Sequence, residues 1–526
     1  MSQTVADQIL KVLAAYGVRM IYGVIGDAIF PLADALARQN TIRYIPCAIE
    51  TTAAFMAAYH GRLSGVPGVC IGTSGPGAGN LVNGTGMAYR DQLPLLCLTG
   101  QVARNQVKQD ANQYIDQSRL FAAVTAQSQQ CLCPATVVPV LSGLLNQAIS
   151  QQTAVHLTIP SDILKEPAAP LAILPPPLFY GLGETSLYRG AIEAGVAMIQ
   201  TSKRPLLVIG GEARSLAGTL ADFAAALGAG IILTQDNKGA LPDRHPLVLG
   251  GIGEAYCPAC LEQADVILLF GAAPYEQPYF PANAPVLHCT ARLTPDFQPY
   301  LTLCGDLTAI LTRIRTELPL PPARPEWQKL LAQDHQNRID WIESVADSHH
   351  PLACIRTLAA KLAPDAVITL DVGEFVYWFD SGFLAERQEI LLSGLWRSMG
   401  SGIAAGIAAC LNRPGRQVVT LTGDGGFLMS CSELATVVRE KLPLTIVVFR
   451  NQQYGLEVQK MRKQGLTTFG TDLCLPDLSR LAESFGLKSF QVNDLAQAPA
   501  AVEASLINTP SLLVWDVNTF PLPHLR

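Results

Sequence analysis

Short apolar runs bounded by glycine or proline recur along the chain, alternating with stretches of helical pattern. Residues 21–24, 68–72 and 95–99 in the first third, 205–211 and 265–271 in the middle, and 366–371, 417–422 and 444–449 near the end read as buried strands. A strand with no polar alternation needs cover on both faces, and parallel neighbours need a crossover. The pattern therefore predicts an α/β protein of doubly wound parallel sheets. Residues 1–13 carry helical apolar spacing with acidic as well as basic side chains, which predicts a helix and not a leader peptide.

Two proline-rich passages, residues 165–178 and 318–325, favour extended, unpacked linkers. They divide the chain into three domains, placed at 1–165, 185–317 and 350–526, and a length of 526 residues agrees with that number.

Composition narrows the class. With 49% hydrophobic and 15% charged residues, the chain can bury extensive cores and subunit interfaces. A net charge of −6 without any basic run gives no electrostatic case for nucleic acid. No apolar segment is long enough to span a bilayer, so no membrane contact is expected. The 13 cysteines lack zinc-type pairing; Cys257 and Cys260 come nearest and have no second pair. Free, mostly buried thiols and a cytoplasmic location are the expectation.

The densest chemistry lies near the end. Gly423-Asp424-Gly425-Gly426 closes one strand, a helix pattern containing Glu433 follows, and the next strand ends in Asn451-Gln452-Gln453-Tyr454-Gly455. Strand ends are where such sheets gather ligands. A diphosphate there needs backbone N–H groups brought close by glycines and a divalent cation on hard oxygen ligands. Asp424, the side-chain oxygen of Asn451 and a backbone carbonyl near Gln453 supply that ligand set.

With these residues the chain resembles the thiamine diphosphate-dependent enzymes, and the likeness runs nearly end to end, nearest to the pyruvate oxidase and acetolactate synthase group. It implies a pyrimidine-binding, a central and a diphosphate-binding domain, in that order, with thiamine diphosphate and Mg2+ as cofactors. Asp424, Asn451 and Gln453 take the metal; Gly423, Gly425, Gly426, Tyr454 and Leu456 take the cofactor. Met399, in the run 393–402, matches the side chain that wedges the cofactor into its bent shape. Glu50, opening a helix rich in small residues, matches the acid that protonates the aminopyrimidine. Gly75, Pro76, Gly77 and Asn80 match the family's glycine loop. Asp27 stands where decarboxylases have a substrate-facing carboxylate, and Gln113 where a glutamine approaches the reacting centre, although Asn112 replaces the family's phenylalanine beside it.

The implied reaction is cleavage of a pyruvate-like 2-oxo acid next to its carbonyl, by decarboxylation to an enamine. Three fates of that enamine stay open. Oxidation needs FAD: residues 210–214 and 237–239 agree with the family's flavin domain, whereas 271–277 and 286–290 depart from it, so FAD stays uncertain. Carboligation of the acetolactate synthase kind meets Leu456 and Lys460 in place of the family's methionine and tryptophan. Protonation fits Asp27, with Glu457 as a second acid. His349 and His350 read as structural, Arg450 departs from the family's asparagine, and the membrane-binding tail of quinone-reducing members is not expected after residue 523. A silent binding subunit of the same fold is the remaining alternative. The resemblance further implies a homodimer or homotetramer with active sites at the subunit interface.

Overall fold

Strand burial follows the apolar runs, and among the described residues the strands of each sheet pair in parallel. The computed structural model describes residues 3–107, 110–168, 189–253, 256–271, 275, 277–293, 297–344 and 350–521. The first sheet contains β1 (Met20–Gly23), β2 (Arg43–Pro46), β3 (Gly68–Gly72), β4 (Leu95–Gln101), β5 (Gln127–Gln130) and β6 (Ala154–Pro160), in the order β2-β1-β3-β4-β6-β5. The second contains β7 (Pro205–Ile209), β8 (Gly230–Leu233), β9 (Val266–Phe270), β10 (Val286–Thr290) and β11 (Leu301–Cys304), ordered β11-β10-β9-β7-β8. The third contains β12 (Val367–Leu370), β13 (Glu389–Leu391), β14 (Val418–Gly423), β15 (Leu444–Arg450), β16 (Lys488–Val492) and β17 (Ser511–Asp516), ordered β13-β12-β14-β15-β17-β16.

These are one winding used three times. In each sheet the first strand lies inside, the second moves to one edge, and the third starts the run in the other direction. A crevice therefore opens at the carboxyl ends between β1 and β3, between β7 and β9, and between β12 and β14. The fold class expected from the sequence is the one observed.

The first and third domains share a core. Helix Glu50–Ser64 packs on helix Ser401–Asn412, and the core they share is rich in small side chains, among them Ala54, Ala57 and Ala58 of the first helix and Ala404, Ala405 and Ala408 of the second. Small residues let the backbones approach closely, so the helices interlock without long side chains between them. Tyr22 Oη and Asn412 Nδ2 each lie 3.0 Å from Nδ1 of buried His60, tying the two domains at that seam. Burial pushes His60 down to about 4. The middle domain is joined through Asp243, which is held by Lys238 and Arg338 and accepts the Ala385 amide at 2.7 Å.

The linkers differ from expectation in one respect. Residues 318–324 lie outside helix and strand, as their prolines require, but Arg324 is buried and donates to the carbonyls of Leu227, Ser202 and Ile199, so the passage is anchored. It leads into helix Pro325–Ser344, whose Trp327, Leu331 and Ile339 pack inward. Most of the first proline-rich passage, from residue 169 on, lies outside the described residues.

Candidate active site

At the crevice of the third sheet, β14 delivers Gly423 and Asp424 next to the end of β15. Asp424 is buried and accepts three amides: Gly425 at 2.8 Å on Oδ1, and Asn451 at 3.0 Å and Gln452 at 2.7 Å on Oδ2. This fixes the turn after β15, where Gln452 adopts φ 59°. Oδ1, with a single amide, keeps a free lone pair. Asn451 Oδ1 accepts the Gln453 amide at 3.2 Å, and the Gln453 carbonyl accepts the Gly455 amide at 2.9 Å, so these oxygens too keep capacity for a cation. Burial raises the Asp424 carboxyl above its ordinary range, against the pull of the amides of Gln452 and Asn451. A cation bound there reverses that penalty.

Asp424, Asn451 and Gln453 line one cleft with Met399, Tyr454 and Leu456, and the floor is glycine. A Cβ on Gly425 would lie 2.6 Å from Tyr454 Cε1 and 3.2 Å from Met399 Cε; one on Gly426 would lie 2.7 Å from Asp371 Oδ2. The cradle is therefore one that side chains would fill, and the donor set is hard oxygen. Among the described residues no three His, Cys, Asp or Glu side chains form a metal cluster. Asp424, an amide oxygen and a carbonyl instead suit a cation that completes its shell with phosphate and water. The residues present thus fit a diphosphate and Mg2+.

Two further carboxyls stand at this crevice. Asp371 is buried and accepts from Val372 N at 2.7 Å, Gly400 N at 2.8 Å and Thr422 Oγ1 at 3.0 Å; burial still pushes it up to about 6. It clamps Gly400, directly after Met399, to the ends of β12 and β14. Glu374 lines the cleft, accepts from Gln459 Nε2 at 2.8 Å on Oε1, and leaves a buried Oε2 without a hydrogen bond. Burial pushes it up to about 7. Sequence reasoning gave Glu374 no role; a carboxyl directly after Asp371-Val372-Gly373 was the available signal.

The crevice of the first sheet gathers the other predicted residues. Glu50 is buried at the start of its helix and accepts Asn80 Nδ2 at 3.0 Å on Oε2. Gly77 leaves room beside it, since a Cβ there would lie 3.2 Å from Glu50 Oε1 and 2.9 Å from Thr73 Cγ2. Gly75 needs its φ of 62° to turn the loop into Pro76, and its Cα faces Gln113, itself at φ 62° and exposed. Asp27 is exposed and accepts Thr73 Oγ1 at 3.0 Å. Glu50, Asp27, Gln113 and the glycine loop are thus brought to one rim.

The two clusters stay apart within one chain. Every residue lining the Asp424 cleft lies at or beyond Pro351. Helix Pro76–Arg90 does brace the loop before Met399: Asn83 bonds Ser398 Oγ at 3.0 Å and Trp396 Nε1 at 2.7 Å. Apolar side chains remain exposed on both rims, with Ile25, Ile49 and Ile115 beside the first and Trp396 and Met429 beside the second.

Other singled-out residues resolve simply. Arg450 forms a two-point pair with Asp516, its register partner on β17, at 2.5 and 2.8 Å. Lys460 is exposed and lies 3.6 Å from Glu457 on the same helix. His350 accepts the Leu352 amide at 3.1 Å as a helix cap, while His349 lies outside the described residues. In the middle domain Glu212 is engaged by Arg292, Thr290 and the Ala291 amide. Residues 272–274 and 276 lie outside the described residues. Among the described residues no helix is long and apolar enough to cross a membrane.

Three family models match in chain order: the N-terminal TPP binding domain of thiamine pyrophosphate enzymes over residues 3–120, their central domain over 192–314, and their C-terminal TPP binding domain over 371–516. The chain is 30% identical to pyruvate oxidase of Lactiplantibacillus plantarum, over 94% of this chain and 85% of that protein. It is 29% identical to the acetolactate synthase isozyme 1 large subunit of Escherichia coli, over 96% and 92%. It is 28% identical to a putative thiamine pyrophosphate-containing protein of Bacillus subtilis, over 99% and 93%.

Proposed function

Because the chain belongs to the thiamine pyrophosphate (thiamine diphosphate) enzymes, in the group of acetolactate synthases and pyruvate oxidases, we propose that it decarboxylates a pyruvate-like 2-oxo acid with that cofactor and Mg2+. The observation that carries this reading is the division of the candidate residues into two half-sites, one shaped for a diphosphate and one built around a buried acid. The bound cofactor supplies an electron sink for the pair released when the carboxylate leaves.

The chain's residues supply the rest. Asp424, Asn451 and Gln453 would hold Mg2+, and the backbone at Gly423, Gly425 and Gly426 would approach the diphosphate. Met399, Tyr454 and Leu456 would shape the cleft above them. Glu50 would hold a proton against the aminopyrimidine, oriented by Asn80, with the loop Gly75-Pro76-Gly77 leaving space for the ring. Asp27 and Gln113, on the same rim, would face the substrate. Units 1–165, 185–317 and 350–526 would serve as pyrimidine-binding, central and diphosphate-binding domains.

Each cofactor would then lie between two copies of the chain, with Glu50 of one facing the Asp424 cleft of the other. The exposed isoleucines beside the first rim and Trp396 and Met429 beside the second suit such a contact. A homodimer or homotetramer follows. Carboligation is the second reading, favoured by the likeness to acetolactate synthases.

The test is CO2 release from pyruvate by protein saturated with thiamine diphosphate and Mg2+, alongside the visible spectrum. CO2 release by a colourless protein, lost in Glu50→Gln, supports the reading. Cofactor binding without turnover of any 2-oxo acid would leave the silent binding subunit in its place, and a stoichiometric flavin band would move the reaction to the oxidase branch.

A further inference from the structure

The helix that opens with Glu50 has no cap of its own. Ile49 occupies the N-cap position and makes no side-chain cap bond, so the start of a 15-residue helix needs an acceptor from elsewhere. That acceptor comes from the third domain. Glu433 is fully buried; its Oε1 accepts the amides of Ala48 at 2.9 Å and Ile49 at 3.3 Å together with the Thr52 hydroxyl. Its Oε2 accepts Thr436 Oγ1 at 2.6 Å. From the same helix as Thr436, Arg439 bonds the Pro46 carbonyl at the end of β2.

We infer that Glu433 is a positioning residue for Glu50. The two amides it holds lead directly into Glu50, so its carboxylate sets where the helix begins and hence where the Glu50 carboxyl stands relative to Asn80. The inference rests on the reading of Glu50 as the group that holds a proton against the cofactor. It adds a physical link: helix Asp424–Ser430 and the turn Cys431–Glu433 run without interruption, beginning at the metal-side carboxylate and ending at Glu433. One short segment thus fixes a metal ligand for one site and aims the acid that serves the site shared with the second copy.

A carboxylate with four donors could equally be a domain fastener, and a double-variant comparison separates the two roles. Glu433→Ala, Glu50→Gln and the combined variant are compared as cofactor-saturated oligomers. The readouts are kcat, KM, thermal stability, and hydrogen–deuterium exchange at the reactive carbon of the bound cofactor. Positioning predicts that Glu433→Ala slows exchange and kcat by about tenfold or more with KM within about threefold, and adds no further slowing of exchange in the Glu50→Gln protein. Glu433→Gln keeps an oxygen for the amides and recovers most of the rate. Should Glu433→Ala fail to assemble, Thr52→Ala, which removes one of the four donors, carries the same comparison.

Equal slowing by Glu433→Ala in both backgrounds overturns the inference, as does lowered thermal stability with unchanged exchange. Undiminished exchange in Glu50→Gln alone overturns the reading of Glu50 beneath it, which is a distinct result.

Discussion

Asn80 donates its side-chain amide to Glu50 Oε2 at 3.0 Å, from the next helix of the first domain. Glu50 is buried and Asn80 is exposed, so the bond aims an acid from beneath a rim that a second copy would cover. Asn80→Ala removes the donor but keeps the Asn80 carbonyl that accepts Thr51 Oγ1 at 2.8 Å. A hydrogen bond to a charged group contributes about 1.5–3 kcal/mol, so kcat is expected to fall by about ten- to a hundredfold with little change in melting temperature. Steady-state kinetics beside a thermal melt checks this.

Asp424 unites metal binding and turn geometry. Asp424→Asn keeps an oxygen for the amides of Asn451 and Gln452 but loses the charge that faces a cation. Cofactor affinity in the presence of Mg2+ is expected to fall by about a hundredfold or more, beyond the usual cost of losing an outer-shell partner. Chelation of Mg2+ from the unaltered protein should give the same loss, followed by fluorescence during cofactor titration.

Gly425→Ala tests the cradle by shape alone. The added methyl would meet Tyr454 Cε1 at 2.6 Å and Met399 Cε at 3.2 Å. Overpacking of this kind costs about 1–3 kcal/mol, and it falls where the diphosphate approaches, so the dissociation constant should rise by about tenfold or more. Calorimetric titration reads it directly.

Stability should depend on pH through Asp380. Burial pushes its carboxyl up to about 7 although Lys238, Arg397 and Gln235 favour the charged form. Between about pH 4 and pH 7 the native chain therefore holds a proton that the unfolded chain has released, and stability falls as pH rises through that window. Asp380→Asn lacks this term. Its melting temperature should match the unaltered protein near pH 4.5 and exceed it at pH 8, by an amount worth a few kcal/mol.

Residues 68–72 were legible as a strand because β3 is buried on both faces, and a run without polar alternation has that one solution. Gln127–Gln130 was not: β5 is a polar edge strand, fixed by pairing with β6 and by no apolar signal of its own. Helix Pro325–Ser344 was hidden behind the prolines before it and by its own polarity, with Trp327, Leu331 and Ile339 as its thin apolar seam. Among the candidate site residues, Glu50 and Asp424 stood out because local motifs surround them. Glu433 and Asp371 carry meaning only through amides that arrive from distant segments, those of Ala48 and Ile49 for one and Gly400 for the other. Arg450 departs from the family's asparagine, and its partner, Asp516, is visible only once β17 lies beside β15.

The most direct test of the account mixes two defective proteins. Glu50→Gln and Asp424→Asn are each expected to be inactive, and the two are co-expressed and the mixed oligomers purified. If one chain's Glu50 and another's Asp424 act on the same cofactor, a mixed dimer contains one doubly defective site and one intact site. The purified mixed dimer should then show about half of the normal CO2 release, and the unfractionated random mixture about a quarter. Mixed oligomers that form, bind cofactor and remain inactive would contradict the shared site.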